Sequence, residues 1–162
     1  MNVLLYAPQY RPNLSSMIRS AEFYGLKKVY IYDNNKLLLP PTQSKKARAE
    51  MEHMARVWTA GAIEFVDIIK VDDPVEFISN YPGRKIATLL DKNAEHLNNF
   101  DFESDDLIIF GNEKDGLPEA LTALIEHKAY IPALGQTPCL NVAVTFGIVL
   151  HQALKSIGKK LY

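Results

Sequence analysis

The sequence predicts an α/β domain, a mostly parallel sheet with helices on both faces, and two observations carry that expectation. Apolar and β-branched runs alternate with segments of helical period from one end of the chain to the other, the pattern of strand, crossover helix and strand repeated. With 162 residues and 48% hydrophobic content, the chain can bury one good core and is too short for two ordinary domains. A single domain over residues 1–162, with no separate domain beside it, is therefore expected.

The elements follow in order. A strand near residues 2–7 (NVLLYA) leads to a helix near 13–24. Asn13, after Pro12, is a good N-cap type, and at about 100° per residue Leu14, Met17, Ala21 and Tyr24 share one stripe. Arg19 falls on the opposite side, as a solvated arginine or one that faces a ligand. Gly25 suits the left-handed position past a helix end. A strand near 28–33 (KVYIYD) then leads to a helix near 43–60. There Ala47, Met51, Met54 and Trp58 lie on one face, with Lys45, Arg48, Glu52 and Arg56 nearly opposite. That second face is either a hydrated surface or, with Lys46 and Arg11 beside it, a track for phosphates.

Gly61 closes this helix, and strands near 63–68 (IEFVDI) and 85–90 (KIATLL) flank a helix near 74–80. The rest is a strand near 106–111 (DLIIFG), a helix near 118–127, a strand near 129–133 (AYIPA) and a helix near 141–157. From Leu140 through Leu150 there is no charged residue. A helix apolar all round is buried on several sides, either at the centre of the core or against a second copy of the chain.

Composition narrows the function. One cysteine excludes internal disulfides and multi-cysteine metal sites and fits a reducing compartment. No long apolar run and no leader-like N-terminus are present, so a cytoplasmic protein is expected. The net charge of −1 lacks the overall basic signature of a polyanion binder, so any grip on nucleic acid must be local.

Three segments look like strand ends running into polar or glycine-containing loops: LLDKNA, FGNEKDGL and IPALGQTPCLN. In open parallel sheets ligands bind beyond the carboxyl ends of strands. Gly111 and Gly116 have the glycine spacing of a phosphate loop, but Leu117 and Pro118 stand where Lys and Ser or Thr are required. No glycine pair has the spacing of a dinucleotide fingerprint. His53, His96, His127 and His151 are scattered without metal-ligand spacing, so no metal is expected. A Cys139–His151 thiol–imidazole pair is a weak alternative.

NLSSMIRSAEFYG (residues 13–25), IIFGNEKDGLPEAL (108–121) and IPALGQTPCLNVAV (131–144) resemble, in order, motifs 1, 2 and 3 of the SpoU/TrmH-type RNA methyltransferases of the SPOUT superfamily. The likeness covers nearly the whole chain. It implies S-adenosylmethionine (AdoMet) as methyl donor and an RNA ribose 2′-hydroxyl as acceptor, in tRNA ahead of rRNA. It also implies a C-terminal trefoil knot, which general topology would not suggest, and a homodimer formed through the knot region.

By the same resemblance, Arg19 corresponds to the catalytic arginine of motif 1 and Asn13 to the asparagine that opens it. Glu113 and Asn141 match the motif 2 glutamate and the motif 3 asparagine near methyl transfer. Leu89, Leu90, Gly111, Asn112, Glu113, Gly116, Ile131, Cys139 and Leu140 fall where the family holds its cofactor. Arg11, Arg19, Lys45, Lys46, Arg48 and Arg56, with the tail Lys155, Lys159 and Lys160, are the candidate RNA contacts. The chain departs from the pattern at Cys139, where serine is usual, at Ala133, where methionine is common, and at Ser15, where glycine is frequent. A thiol is a weak donor, so a side-chain bond at Cys139 is in question. Two alternatives remain: a knot protein that binds RNA or AdoMet without turnover, and a SPOUT enzyme that methylates a base. The retained Arg19, Glu113 and Asn141 weigh against the first, and the motif 1 arginine weighs against the second.

Overall fold

The computed structural model describes residues 1–38, 44–137 and 139–158, without the side chains of Ala47 and Met54. Seven strands form one sheet: β1 (Asn2–Tyr6), β2 (Lys28–Tyr32), β3 (Asp67–Lys70), β4 (Lys85–Thr88), β5 (Glu95–His96), β6 (Leu107–Phe110) and β7 (His127–Tyr130). Their order is β3-β2-β1-β6-β4-β7-β5, and every pairing is parallel. The helices are α1 (Arg11–Phe23), α2 (Lys45–Thr59), α3 (Pro74–Asn80), α4 (Glu119–Thr122) and α5 (Val142–Ser156).

The central strands are apolar on both faces because both are covered. Val3, Leu5, Ile86, Ile108 and Phe110 point to one side, where Leu14, Met17, Ile18 and Ala21 of α1 and Phe146, Val149, Leu150 and Ala153 of α5 complete a core. Leu4, Ala87, Leu107 and Ile109 point to the other, against Ile78 of α3 and Leu121 of α4. Adjacent strand residues alternate between the two cores, so a slip of one residue would exchange them.

Several expectations are corrected. The run at 63–68 is not a strand throughout: Ala62–Glu64 is a 3-10 turn and the strand is Asp67–Lys70. Residues 118–127 hold only the four helical residues of α4. The strand expected at 129–133 lies two to three residues earlier, in register with β4 from His127. The two-residue β5 was not anticipated. Asn13 is not an N-cap, because α1 begins at Arg11 with Tyr10 at its cap; Pro12 fits the first turn, where no N–H is needed. On α2, Met51 is half-buried and Trp58 remains 40% exposed, so the expected core stripe is partial; the side chains of Ala47 and Met54 lie outside the described residues. Residue 43, where that helix was expected to begin, and Lys159 and Lys160 also lie outside them. Gly25 and Gly61 do take left-handed conformations, at φ 77° and 83°.

A buried ion pair fixes the end of the sheet remote from the loops discussed below. Asp106, fully buried, accepts from Arg84 Nε at 2.9 Å and Nη2 at 3.0 Å, and from the Glu103 N–H at 2.7 Å. The hydrogen bonds from Arg84 to the Asp106 carboxylate raise the Arg84 pKa above its ordinary value. Arg84 and Asp106 immediately precede β4 and β6, so the pair sets where both strands start.

Candidate active site

The strand order decides which loops meet. β1, β6, β4 and β7 are consecutive and parallel, so the segments after them all leave the same end of the sheet, side by side. Those segments begin at Ala7, Gly111, Leu89 and Ile131.

The loop after β6 is a small closed unit. Asn112 N–H donates to the Gly116 carbonyl at 3.0 Å and Gly116 N–H returns to the Asn112 carbonyl at 3.2 Å. The Asn112 Oδ1 accepts from the N–H groups of Lys114 (2.9 Å) and Asp115 (2.7 Å). A Cβ at Gly111 would lie 2.4 Å from the Gly116 carbonyl carbon, so only glycine fits there. Gly116 has φ +68°, which completes the turn with little strain in a residue lacking Cβ.

That unit presents Glu113 to the start of α1. Its carboxylate accepts from the Gln9 N–H at 2.9 Å, the Tyr10 N–H at 3.3 Å and Asn13 Nδ2 at 3.0 Å. A carboxylate before a helix start meets unpaired N–H groups and the positive end of the helix dipole. Asn13 Oδ1 in turn accepts from Asn141 Nδ2 at 3.2 Å, and Asn141 Oδ1 caps α5 by accepting from the Ala143 N–H at 2.8 Å. One directed chain of donors thus runs from the start of α5 through Asn141 and Asn13 to Glu113.

Asn13, Glu113 and Asn141 are therefore brought together. Arg19 is not part of this network: it is exposed, six residues further along α1, with no partner among the described residues. Three donors hold the Glu113 carboxylate in one orientation. The left-over sequence readings are also located. Cys139 is exposed, and His151 packs its ring 6.1 Å from that of Tyr24 far along α5, so the two do not form a pair. The acidic group Glu103, Asp105 and Asp106 is the one that Arg84 engages through Glu103 and Asp106.

The loops after β4 and β7 differ in character. Leu89 and Ile131 are half-buried, whereas Leu90 and Leu140 are 59% and 48% exposed and Leu134 is fully exposed. The N–H groups of Ala133, Leu134, Gly135, Gln136, Thr137, Cys139 and Leu140 donate to none of the described residues. Exposed apolar side chains beside unpaired backbone donors suit a ligand with a flat apolar part and polar edges, as an adenosine-containing cofactor has. Lys128 of β7 spans to Asp91 after β4 at 2.9 Å. The Asn93 N–H and this ammonium hold the Asp91 carboxyl below its ordinary pKa.

The candidate RNA contacts differ in how far they are already engaged. Lys45, Lys46 and Arg48 are exposed on α2. Arg56 pairs with Glu64 at 3.0 Å, and Arg11 Nε donates to the Leu37 carbonyl at 3.3 Å, so these two are partly committed. The residues missed by sequence reasoning are Gln9 and Tyr10, which act through main-chain N–H groups and so leave no side-chain signature, and the Lys128–Asp91 bridge.

Comparison with known proteins identifies the family and the fold. Residues 1–151 match the model of the SpoU rRNA Methylase family. A tRNA (guanosine(18)-2′-O)-methyltransferase of Aquifex aeolicus is 27% identical over 91% of this chain and 65% of its own. A tRNA (cytidine(34)-2′-O)-methyltransferase of Beijerinckia indica is 27% identical over 95% of this chain and 90% of its own. A 23S rRNA (guanosine-2′-O-)-methyltransferase of Acinetobacter baylyi is 27% identical, but this chain spans only 54% of its length. Among solved structures, the A. aeolicus TrmH/SpoU tRNA modifying enzyme superposes with TM-score 0.80 at 23% identity, covering 96% of this chain and 74% of the other. The SpoU methyltransferase AviRb from Streptomyces viridochromogenes, in complex with the cofactor AdoMet, superposes with TM-score 0.72 at 22% identity, over 96% and 59%. With the family model spanning all three motifs and the fold shared with TrmH/SpoU structures, this chain belongs to the SpoU rRNA methylase family.

Proposed function

We propose that the chain is an AdoMet-dependent RNA methyltransferase acting on a ribose 2′-hydroxyl, in tRNA ahead of rRNA. The observation that carries this reading is the convergence of Asn13, Glu113 and Asn141 from three distant segments beside the open loops after β4 and β7. AdoMet, when bound, supplies a methyl group already activated on a sulfonium. Leu89, Leu90, Ile131, Cys139 and Leu140, with the backbone of Gly111, Asn112 and Gly116, would hold it. What the protein adds is alignment of the ribose hydroxyl and help with its proton.

Arg19 is the residue assigned to the hydroxyl. An arginine stays protonated throughout the ordinary pH range, so its part is to pair with a phosphate of the RNA and stabilise the developing alkoxide, while the hydroxyl proton passes to water. Its place on α1, six residues beyond Asn13, favours an RNA that spans the two. The chain between β4 and α5 is read as the family's trefoil knot. The exposed Val144 and Ile148 on α5, 49% and 41% accessible, support a homodimer through that region. Arg11, Lys45, Lys46 and Arg48 form the RNA grip, with Arg56 at its margin, within one domain in the cytoplasm.

The deciding experiment is transfer from labelled AdoMet to bulk tRNA and, separately, to rRNA, followed by nucleoside analysis. Label in a 2′-O-methylnucleoside is the expected result. Label in a methylated base would replace the ribose reading, and no transfer to either RNA would leave a binding protein.

A further inference from the structure

The segment between β1 and α1 is strained and held from two sides. Ala7 is buried, yet it adopts φ +47°, a conformation unfavourable for a residue with a Cβ. Its N–H donates to the Tyr32 carbonyl at 2.8 Å. On the carbonyl side, Asn35 Nδ2 donates to both Ala7 O at 3.2 Å and Pro8 O at 3.0 Å. Asn35 is itself set in a turn built by Asp33, whose two carboxylate oxygens accept from the Leu37 and Leu38 N–H groups at 2.8 and 2.9 Å.

The peptide unit between Pro8 and Gln9 makes the consequence specific. In a trans peptide the carbonyl oxygen and the following N–H are coplanar and point in opposite directions. Asn35 holds the oxygen of this unit, and Glu113 accepts from its N–H at 2.9 Å. A single rigid plane therefore joins the Asn35 amide to the Glu113 carboxylate, each bond polarising the other.

We propose that Asn35 is a positioning residue for the candidate active site, acting through the Pro8–Gln9 peptide on Glu113 and thence on Asn13. It hydrogen-bonds to neither of these side chains among the described residues and lies after β2, outside all three motif segments. Its kinetic consequence rests on the methyltransferase reading; its structural consequence does not.

Two measurements test it. Amide hydrogen exchange should speed up at Gln9 and Tyr10 in Asn35→Ala by roughly five- to tenfold, the scale of one lost hydrogen bond, while Val3 to Leu5 of β1 keep their protection. Unchanged exchange at Gln9, or an equal increase along β1 and α1, would overturn the proposal. In turnover, Asn35→Ala should lower kcat by a similar factor with AdoMet affinity retained, and the same change made in a Glu113→Gln background should have little further effect. Additive losses, or a fall in AdoMet affinity in place of kcat, would reject it. Absence of transfer by the unmodified protein would refute the activity reading alone and leave the exchange result to decide the positioning.

Discussion

Asn13 and Glu113 are 100 residues apart in the chain and hydrogen-bonded at 3.0 Å. The bond joins the first turn of α1 to the closed loop after β6, and through Asn141 it reaches the first turn of α5. Two helix starts, each with unpaired N–H groups, are thereby referred to one carboxylate.

Glu113→Gln keeps the shape and removes the charge. It also turns an NH2 group toward three donors if its oxygen cannot satisfy them all. Charge-assisted hydrogen bonds contribute about 1.5–3 kcal/mol, so a loss of about 1–3 kcal/mol in unfolding free energy is expected from chemical denaturation. Methyl transfer should fall by at least roughly tenfold, the rate equivalent of about 1.4 kcal/mol.

Arg19 should behave oppositely. Because it is exposed and has no partner among the described residues, Arg19→Ala should change stability by less than about 0.5 kcal/mol. If it faces the reacting hydroxyl, transfer should drop by roughly a hundredfold or more, as when an oxyanion-stabilising donor is removed. Intact activity in this variant would end its catalytic assignment.

At the far end of the sheet, Asp106→Asn leaves the Arg84 guanidinium without its buried counter-charge. Breaking such a pair from one side costs about 3 kcal/mol or more, which thermal denaturation would register as a clear drop in Tm. AdoMet binding by the remaining folded protein should be nearly unchanged, since the pair lies opposite the loops.

The Asp91–Lys128 bridge predicts an acid-side dependence. The folded pKa of Asp91 is lowered, so the folded state gives up this proton more readily than the unfolded one. Its contribution to stability is complete above the ordinary carboxylate range, near pH 4, and is lost as pH falls through the lowered folded value. Denaturation midpoints measured down through that range should slope less steeply for Asp91→Asn than for the parent.

Much of this arrangement was legible in the sequence for identifiable reasons. Alternation of strand and helix patterns gave the α/β class, and Gly25 and Gly61 marked their helix ends because left-handed backbone selects glycine. The roles around Glu113 were only half legible. The residue type pointed to chemistry, but its donors are two main-chain N–H groups, and backbone donors have no residue code. Asn after Pro fits a helix cap locally, but α1 starts two residues earlier and Asn13 is used in the tertiary bond to Glu113. The run IEFVDI misled because Ile63 and Val66 pack against the core from a 3-10 turn and its flank, which periodicity over six residues cannot distinguish from a strand.

The strand order also governs the order in which the molecule can be finished. β1 is made first, yet one of its two neighbours is β6, whose residues Leu107 to Phe110 pair with Asn2 to Leu5. On a ribosome, which releases the chain from its N-terminus, β1 can join β2 early while its other edge waits for most of the polypeptide. Glu113 emerges three residues after that edge is filled, and Asn141 later still. The candidate chemistry therefore follows the first strands in synthesis, and a nascent chain that stops before β6 has β1, β2 and β3 without the carboxylate on which both helix starts depend.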